Sequence, residues 1–398
     1  MELRQSHPKM PRTVWALGLV SLFMDLSSEI IHALLPLFLT ATLGVSVAVV
    51  GLIDGIAEST ASISKVFSGY LSDRFGRRKP LILLGYGLGA LSKPFFALAG
   101  TATIVLSARF ADRIGKGIRG APRDALVADV TPLSIRGRAF GLRQALDTVG
   151  AFLGPLLAIG LMFVFANDMR SVFWIAVIPA VVAVLLIVVA VDEREARDVI
   201  ARAPMRMRDM ARFDMAFWSV VAIGLAFTLA RFSEAFLILK ANAEGLPLVL
   251  APLVLVTMNL VYALGAYPAG ALSDRIDARD LLVSALACLI LADLILAFVP
   301  GLVGTFAGIA LWGLHMALSQ GLLAKLVADR APATLRGTAY GVFNLATGVA
   351  LLLASVAAGL LWDKVGPSAT FIAGAFFAAA ALFMLTLMSP RHTRQDED

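Results

Sequence analysis

Long runs of apolar residues, separated by short polar connections, extend along almost the whole chain. An α-helix rises about 1.5 Å per residue, so a run of roughly 20 residues can cross the hydrocarbon layer of a membrane. Strands of a membrane β-barrel would be about half as long and would alternate between apolar and polar positions, which these runs do not. The pattern predicts an all-α membrane protein of twelve transmembrane helices, with limits near 13–39, 46–71, 81–100, 102–122, 137–165, 171–191, 214–240, 246–272, 281–299, 302–327, 337–361 and 368–389.

The first apolar segment is not a secretory signal peptide. It is longer than the roughly 7–15 apolar residues of such a peptide. It contains Asp25, Glu29 and His32, and it has no small-residue cleavage site. We therefore assign the first transmembrane helix to this segment.

Lysine and arginine residues collect on one side of the predicted membrane fold. They flank both ends of the chain and follow the even-numbered segments, whereas the other side has little beyond Arg170, Lys240 and Lys364. Because basic loops stay in the cytoplasm, this asymmetry predicts a multi-pass protein of the inner (cytoplasmic) membrane, with both termini cytoplasmic.

The composition supports a membrane protein. Hydrophobic residues make up 59% and charged residues 16% of the 398 residues, against about 45–50% and about 25% in soluble domains. These values exclude a soluble globular enzyme, a disordered chain and a small disulfide-stapled domain. The net charge of +6 then reflects topology and not a nucleic-acid partner, and the single cysteine leaves no internal disulfide.

The two halves of the chain repeat each other across a long polar connection. Gly69-Tyr70-Leu71-Ser72-Asp73-Arg74 recurs 201 residues later as Gly270-Ala271-Leu272-Ser273-Asp274-Arg275, and Asp129 with Arg136-Gly137 recurs 200 residues later as Asp329 with Arg336-Gly337. Two matches at nearly one offset indicate a duplication. We predict a six-helix bundle over 1–191, a cytoplasmic linker over 192–213 and a second six-helix bundle over 214–398, related by a pseudo-two-fold axis.

The stretch from Gly69 to Lys79 resembles the signature loop between the second and third helices of the major facilitator superfamily, and the stretch from Gly270 to Arg279 stands where that family has a degenerate second copy. The resemblance implies the fold of that family, alternating access, and a monomer. A plain positive-inside loop is the alternative reading. The implied gating residues at the connections are Gly69, Asp73, Arg74, Gly76, Arg77, Arg78, Asp129, Arg136, Asp274, Arg275, Asp329 and Arg336.

The fifth segment resembles a motif of the proton-driven exporter branches. Gly141, Gly150, Gly154 and Pro155 keep the spacing, although Ala158-Ile159 replaces the final glycine pair. The predicted gating set also includes Arg143 and Asp147, which lie one turn apart, together with Gly150, Gly154 and Pro155. These features imply an antiporter working in efflux, whereas simple close packing of helices is the alternative explanation of the glycines.

The fourth and first segments carry further resemblance. Arg109, Asp112 and the residues after them resemble the exporter motif of the fourth helix, with Arg113 at the first glycine position. The Asp-x-Ser-Ser-Glu pattern of the first segment, together with Ala-Pro-Arg-Asp at the end of the fourth, is similar to a bacterial permease group of uncertain substrate.

Ionisable residues inside the predicted spans are the main candidates for function, because a charge at the centre of a membrane costs roughly 2.5–3.5 kcal/mol. Lys93 and Asp293 are expected to be isolated on the peripheral third and ninth segments. We predict that the others, together with polar residues of the second half, line a central cavity. This set comprises Asp25, Glu29, His32, Asp54, Glu58, Arg109, Asp112, Arg113, Arg231, Glu234, Asn259, Tyr262 and His315.

The first half is expected to carry proton coupling. Asp25 and Glu29 share one face of a helix, and a carboxylate beside another carboxylate binds a proton more readily. Glu29 is the first candidate for the proton carrier, followed by Asp25 and Glu58. The alternative is a static network of buried salt bridges.

We therefore predict a transporter, embedded in lipid, that exports a small organic molecule in exchange for protons. Transport of a metal ion, suggested by His32 beside the carboxylates, or of a small organic anion is the alternative. A lipid-handling or receptor-like relative without ion coupling is a third possibility. The sequence has no nucleophile, phosphate-loop or metalloprotease motif, so neither an enzyme nor a cofactor is expected.

Overall fold

The computed structural model describes residues 9–75, 77–193, 213–272, 276–331 and 336–387, and all regular structure within them is helical. We label the thirteen long helices in chain order. They are α1 (Arg12–His32), α2 (Val47–Phe75), α3 (Lys79–Leu98), α4 (Ala102–Val130), α5 (Arg136–Val164), α6 (Met169–Ala190), α7 (Met215–Ala230), α8 (Ala235–Ala243), α9 (Leu253–Leu272), α10 (Ala278–Phe298), α11 (Gly301–Arg330), α12 (Arg336–Lys364) and α13 (Pro367–Leu387).

These helices confirm the predicted all-α membrane fold. By length and composition, eleven helical segments of the described chain can cross a membrane. Helix α4 is the remaining long helix of the first half, and its many charged side chains set it apart. After α1 the chain continues through the short turns Leu35–Leu37 and Phe38–Thr42.

The predicted seventh segment is not one continuous helix. It is divided into α7 and α8 by the non-helical residues 231–234. The break reads Arg231-Phe232-Ser233-Glu234. It contains neither glycine nor proline, so no helix-breaking residue marks this point in the sequence. The end of α7 places Arg231 in an extended conformation, which exposes backbone groups deep in the bundle.

Side-chain caps begin several helices where the sequence changes from polar to apolar. Asp214 accepts a 2.9 Å hydrogen bond from Phe217 N at the start of α7. Asp168 accepts hydrogen bonds from Arg170 N and from Ser171 Oγ at the start of α6. Because the ionised form of Asp168 accepts the bond from Ser171, the pKa of this carboxyl lies below its usual value.

Helices α1 to α6 pack mainly against one another, and so do α7 to α13. We call these two sets the first and second helix groups. The groups meet chiefly where α2 packs on α12, and also where α5 meets α9. Most of the predicted linker, 194–212, lies outside the described residues.

Small residues permit the contact between α2 and α12. A Cβ on Gly51 would collide with the backbone oxygen of Ser355, and a Cβ on Gly359 would lie 2.7 Å from Ala48 Cα. At the end of this contact the Asp363 carboxylate accepts hydrogen bonds from Val47 N at 3.1 Å and Ala48 N at 2.8 Å. We call this end of the bundle the Asp363 side, and the opposite end, where α1 begins, the Arg12 side.

Candidate functional site

Helix α4 presents two arginines to the acidic face of α2. Arg113 Nη1 lies 3.1 Å from Glu58 Oε1, and Arg109 Nη2 lies 3.5 Å from Asp54 Oδ1 and 4.0 Å from Glu58 Oε1. Both arginines and Asp54 are buried. A buried charge needs a partner of opposite sign, which explains why the two charged helices lie side by side.

The break between α7 and α8 joins this cluster to the second helix group. Ser233 Oγ donates a 2.7 Å hydrogen bond to Asp54 Oδ2, and Ser233 N donates a 3.2 Å bond to Ser355 Oγ on α12. Ser233 Oγ also accepts from Ala235 N at the start of α8. In a continuous helix the backbone N–H group of Ser233 would bond within the helix. At the break it instead donates to α12.

Charged residues of both helix groups lie near one another. Glu29 contacts His32 at 3.4 Å, and the charge of Arg113 acts on Glu29. Glu234, in the break, lies in the field of His32, Arg231, Glu29 and Glu58. Glu29, His32 and Glu58 of the first helix group thus lie near Glu234 of the second group.

A pair of carboxyl groups occupies the neighbouring region toward the Arg12 side. Asp25 on α1 lies close enough to Asp147 on α5 for their side chains to interact. Arg123 Nη1 and Arg143 Nη1 lie 3.7 Å and 3.6 Å from Asp147 Oδ1. Two neighbouring carboxylates repel each other, and a proton shared between them or a nearby cation relieves that repulsion.

Glycines bring α1 and α5 close enough for that contact. A Cβ on Gly150 would collide with the backbone of Leu22, and a Cβ on Gly154 would lie 2.6 Å from Glu29 Cβ. Pro155 is buried beside them. Gly141 has open space around it, so it has no such packing role.

Asp112 lies apart from the charges around the break. Its Oδ1 accepts a 2.8 Å bond from Lys93 Nζ of α3, and Arg113 Nε lies 3.6 Å from its Oδ2. Lys93 also donates to Ser28 Oγ of α1 at 2.9 Å. The expectation that Lys93 is isolated is therefore wrong, because α3 packs directly on α4.

The polar candidates of the second half do not form one cluster. His315 is buried, with Nδ1 2.8 Å from the backbone oxygen of Ala285 and its ring stacked on Phe227. Asn259 and Tyr262 are half-buried on α9. Tyr262 packs against the apolar core.

Several predicted gating residues meet at the Arg12 side. Arg78 Nε lies 2.6 Å from Asp129 Oδ2, and its backbone N–H donates to Glu193. Arg136 Nη2 donates to Ala128 O at 2.9 Å, and Arg143 also lies 3.7 Å from Asp124. Arg77 is exposed.

Other gating candidates are only partly described. Gly69, Asp73 and Arg74 lie in the last turns of α2, Asp329 lies at the end of α11, and Arg136 and Arg336 begin α5 and α12. The side chains of Asp73, Arg74, Asp329 and Arg336 lie outside the described residues, as do Gly76, Asp274 and Arg275 entirely.

Sequence reasoning missed three members of the site. Ser233 and Ser355 are uncharged, so their presence in a span carries little penalty and gave no signal. Lys116, one turn after Arg113 on α4, is the third. It is exposed, its charge acts on Asp25, Glu29, Glu58 and Asp147, and it has no ion pair within 4.0 Å among the described residues.

A metal site has no support in the described part of the chain. His32 and Glu29 touch, but no group of three His, Cys, Asp or Glu side chains comes together there.

Known proteins resemble the chain throughout its length. An uncharacterized MFS-type transporter of Methanocaldococcus jannaschii is 28% identical over 383 residues, covering 95% of each chain. The multidrug resistance protein MdtH of Photorhabdus laumondii is 32% identical over 154 residues, covering 39% of this chain and 37% of that protein. The crystal structure of a bacterial homologue of the human lysosomal transporter Spinster, inward-facing and unoccupied, superposes with a TM-score of 0.70 at 17% identity, covering 96% of each chain.

The family itself follows from its sequence profile. The profile of the Major Facilitator Superfamily matches residues 17–355 and again 221–397. Together with the described helices, this match makes the chain a multi-pass membrane protein of a family of secondary transporters. The protein belongs to the Major Facilitator Superfamily.

Proposed function

We propose that this protein exports a small organic molecule from the cytoplasm in exchange for protons, as a monomer in the inner membrane. The observation that carries the proposal is the contact between Asp25 and Asp147. A carboxyl pair that holds one proton can release it when the neighbouring charges move. Asp25 is a better candidate than Glu29, because Glu29 has His32 as a partner, whereas Asp25 faces another acid.

Alternating access is supported by the way in which the helix groups meet. The contact of α2 with α12 reaches from Asp363 to Gly348, where Ser59 Oγ donates to Gly348 O at 2.6 Å. This contact closes the Asp363 side over the charged cluster. We propose that the Arg12 side is cytoplasmic, in agreement with the basic residues there, so this conformation is closed toward the exterior.

Export is supported by the helix-5 motif and by the name of the MdtH relative, which denotes multidrug resistance. The exposed ammonium of Lys116 favours a second candidate, a solute with an acidic group. Such a solute would pair with Lys116 as it enters from the Arg12 side.

The proposal is tested with purified protein in liposomes that contain a pH-sensitive dye. A panel of neutral, cationic and acidic organic molecules is first screened for those that raise the unfolding temperature, since a bound solute stabilises the folded state. An imposed proton gradient should then drive protons into the compartment of lower proton concentration and the stabilising molecules in the opposite direction. Asp25→Asn should abolish the proton movement, whereas Glu29→Gln and the exposed control Lys364→Gln should retain it.

Absence of proton movement with every stabilising molecule would refute proton coupling. Retention of coupling in Asp25→Asn would remove Asp25 from this role. If acidic molecules alone are transported and Lys116→Gln abolishes their transport, the second candidate replaces the first.

A further inference from the structure

Asp293 is a buried acid that has no partner among the described residues. It lies on α10 with a relative exposure of 0%, and neither carboxyl oxygen has a hydrogen-bond partner in the described structure. Its carboxyl group packs against Gly374 of α13, where a Cβ would lie 2.5 Å from Asp293 Oδ2. An acid in this position is stable only when it is neutral or has a cation beside it.

The duplication explains why the second half lacks that cation. Asp293 and Trp312 stand 200 residues after Lys93 and Asp112. In the first half these positions form a buried ion pair at 2.8 Å. In the second half an acid occupies the position of the lysine and a tryptophan occupies that of the acid. The indole Nε1 of Trp312 also has no acceptor in the described residues.

An apolar pocket adjoins this unpaired acid. It has a volume of about 170 Å³ and lies between α7, α12 and α13, with Gly374 and Phe232 in its wall. Phe232 approaches Gly374 from the same side as Asp293. Asp293 does not itself line the pocket, but Gly374, which has no side chain, adjoins both the carboxyl group and the pocket.

Aromatic rings pack around Phe232, in the wall of the pocket. The ring of Phe232 lies 5.3 Å from that of Trp312 and 5.5 Å from that of Phe371, between centroids. At the mouth of the pocket, Leu353 is 59% exposed and Phe377 is 41% exposed. Both belong to transmembrane helices, so the pocket opens toward the lipid.

We propose that this pocket binds a lipophilic organic cation, an ammonium group attached to one aromatic ring, which enters from the bilayer. Asp293 supplies the counter-charge from behind Gly374, the ring of Phe232 in the wall stabilises the ammonium group by cation–π contact, and the apolar wall accepts the aromatic group. The site is separate from the central charged cluster. Phe232 in the pocket wall is followed directly by Ser233, which hydrogen-bonds Asp54 of the other helix group. A ligand bound in the pocket would therefore act on the contact between the two helix groups.

The experiment measures binding to the purified wild-type protein in detergent, without a proton gradient. The probe is benzyltrimethylammonium, whose charge does not depend on pH, and neopentylbenzene is its neutral counterpart of the same shape. The cation should raise the unfolding temperature of the wild type in a concentration-dependent way. Asp293→Asn, which has nearly the same shape without the charge, should weaken binding of the cation by about tenfold or more and leave binding of neopentylbenzene unchanged.

Leu353→Trp provides a second variant in case Asp293→Asn does not fold. This change fills the lipid-facing mouth without touching the acid, so it should weaken binding of both probes. The proposal is wrong if the cation fails to stabilise the wild type or binds Asp293→Asn as tightly. Asp25→Asn, which tests the proposed transport function, should bind the cation like the wild type, so the two proposals succeed or fail separately.

Discussion

Asp54 on α2 and Ser233 in the break between α7 and α8 are joined by a 2.7 Å hydrogen bond that connects the two helix groups. The other oxygen of Asp54 lies 3.5 Å from Arg109. The carboxylate therefore links a buried cation of the first group to a hydroxyl of the second. In the proposed transport cycle this bond has to break whenever the groups separate on the Asp363 side.

Ser233→Ala should destabilise the conformation that is closed on the Asp363 side. A hydrogen bond to a charged group contributes about 1.5–3 kcal/mol, and Arg109 keeps Asp54 paired after the change. The readout is thiol labelling of Ser62→Cys in a Cys288→Ser background, because Ser62 packs 3.0 Å from the position of a Cβ on Gly348. Labelling should become faster in Ser233→Ala.

The matched control for this prediction is Ser219→Ala. Ser219 Oγ donates within its own helix to Met215 O at 2.9 Å and is exposed, so its loss should not affect the contact between the groups. Equal labelling rates in the two serine variants would contradict a linking role for Ser233.

Gly150→Ala should lower the unfolding temperature, because the added methyl group collides with the backbone of Leu22 on α1. Overpacking of this kind costs about 1–3 kcal/mol, which exceeds the gain of roughly 1 kcal/mol from the better helix propensity of alanine. Gly160→Ala on the same helix is the control, since nothing lies within 4 Å of its Cβ position. If Gly150→Ala and Gly160→Ala unfold at the same temperature, Gly150 has no packing role.

Apolar periodicity was enough to predict the helices of this protein, but not the partners of its charges. The spacing of Arg109, Asp112 and Arg113 along α4 indicated a charged stripe. It did not indicate that Asp112 turns toward Lys93 on α3, because that pairing depends on how separate helices pack. Ser233 escaped prediction for another reason: its hydroxyl is uncharged and stands beside Glu234, whose charge is the stronger signal for function.

Removal of one partner from the buried pair of Lys93 and Asp112 should be strongly destabilising. Lys93→Met removes the nearest cation from the buried carboxylate of Asp112 and leaves it only the longer contact with Arg113 at 3.6 Å. Breaking a buried pair costs about 3–5 kcal/mol, and the remaining contact should keep the loss near the lower value. The double variant Lys93→Met with Asp112→Leu replaces the pair with apolar groups, and Arg113 retains Glu58 at 3.1 Å. Unfolding temperatures should therefore fall sharply in the single variant and recover in the double variant. A single variant as stable as the wild type would show that the pair is not electrostatically important.

The Asp363 carboxylate should stabilise the contact between α12 and α2 on the Asp363 side of the bundle. Its two oxygens accept hydrogen bonds from Val47 N and Ala48 N, at the start of α2, where the positive end of the helix dipole favours an anion. Asp363→Ala removes both bonds, and Asp363→Asn removes the charge and leaves one acceptor oxygen. Loss of such a cap costs about 0.5–2 kcal/mol, so the population open on this side should rise by a factor of about 2–30.

Ser46 and Val365 are exposed and flank the contact of Asp363 with α2. Distances between spin labels at these two positions measure that population directly. The fraction of long distances should increase from wild type to Asp363→Asn and further to Asp363→Ala, since each step removes more of the attraction between α12 and α2. Lys364→Ala, next to Asp363 but without a bond to α2, should match the wild type. An unchanged distance distribution in Asp363→Ala would mean that the packing of Gly51 and Gly359 holds this side closed without the carboxylate.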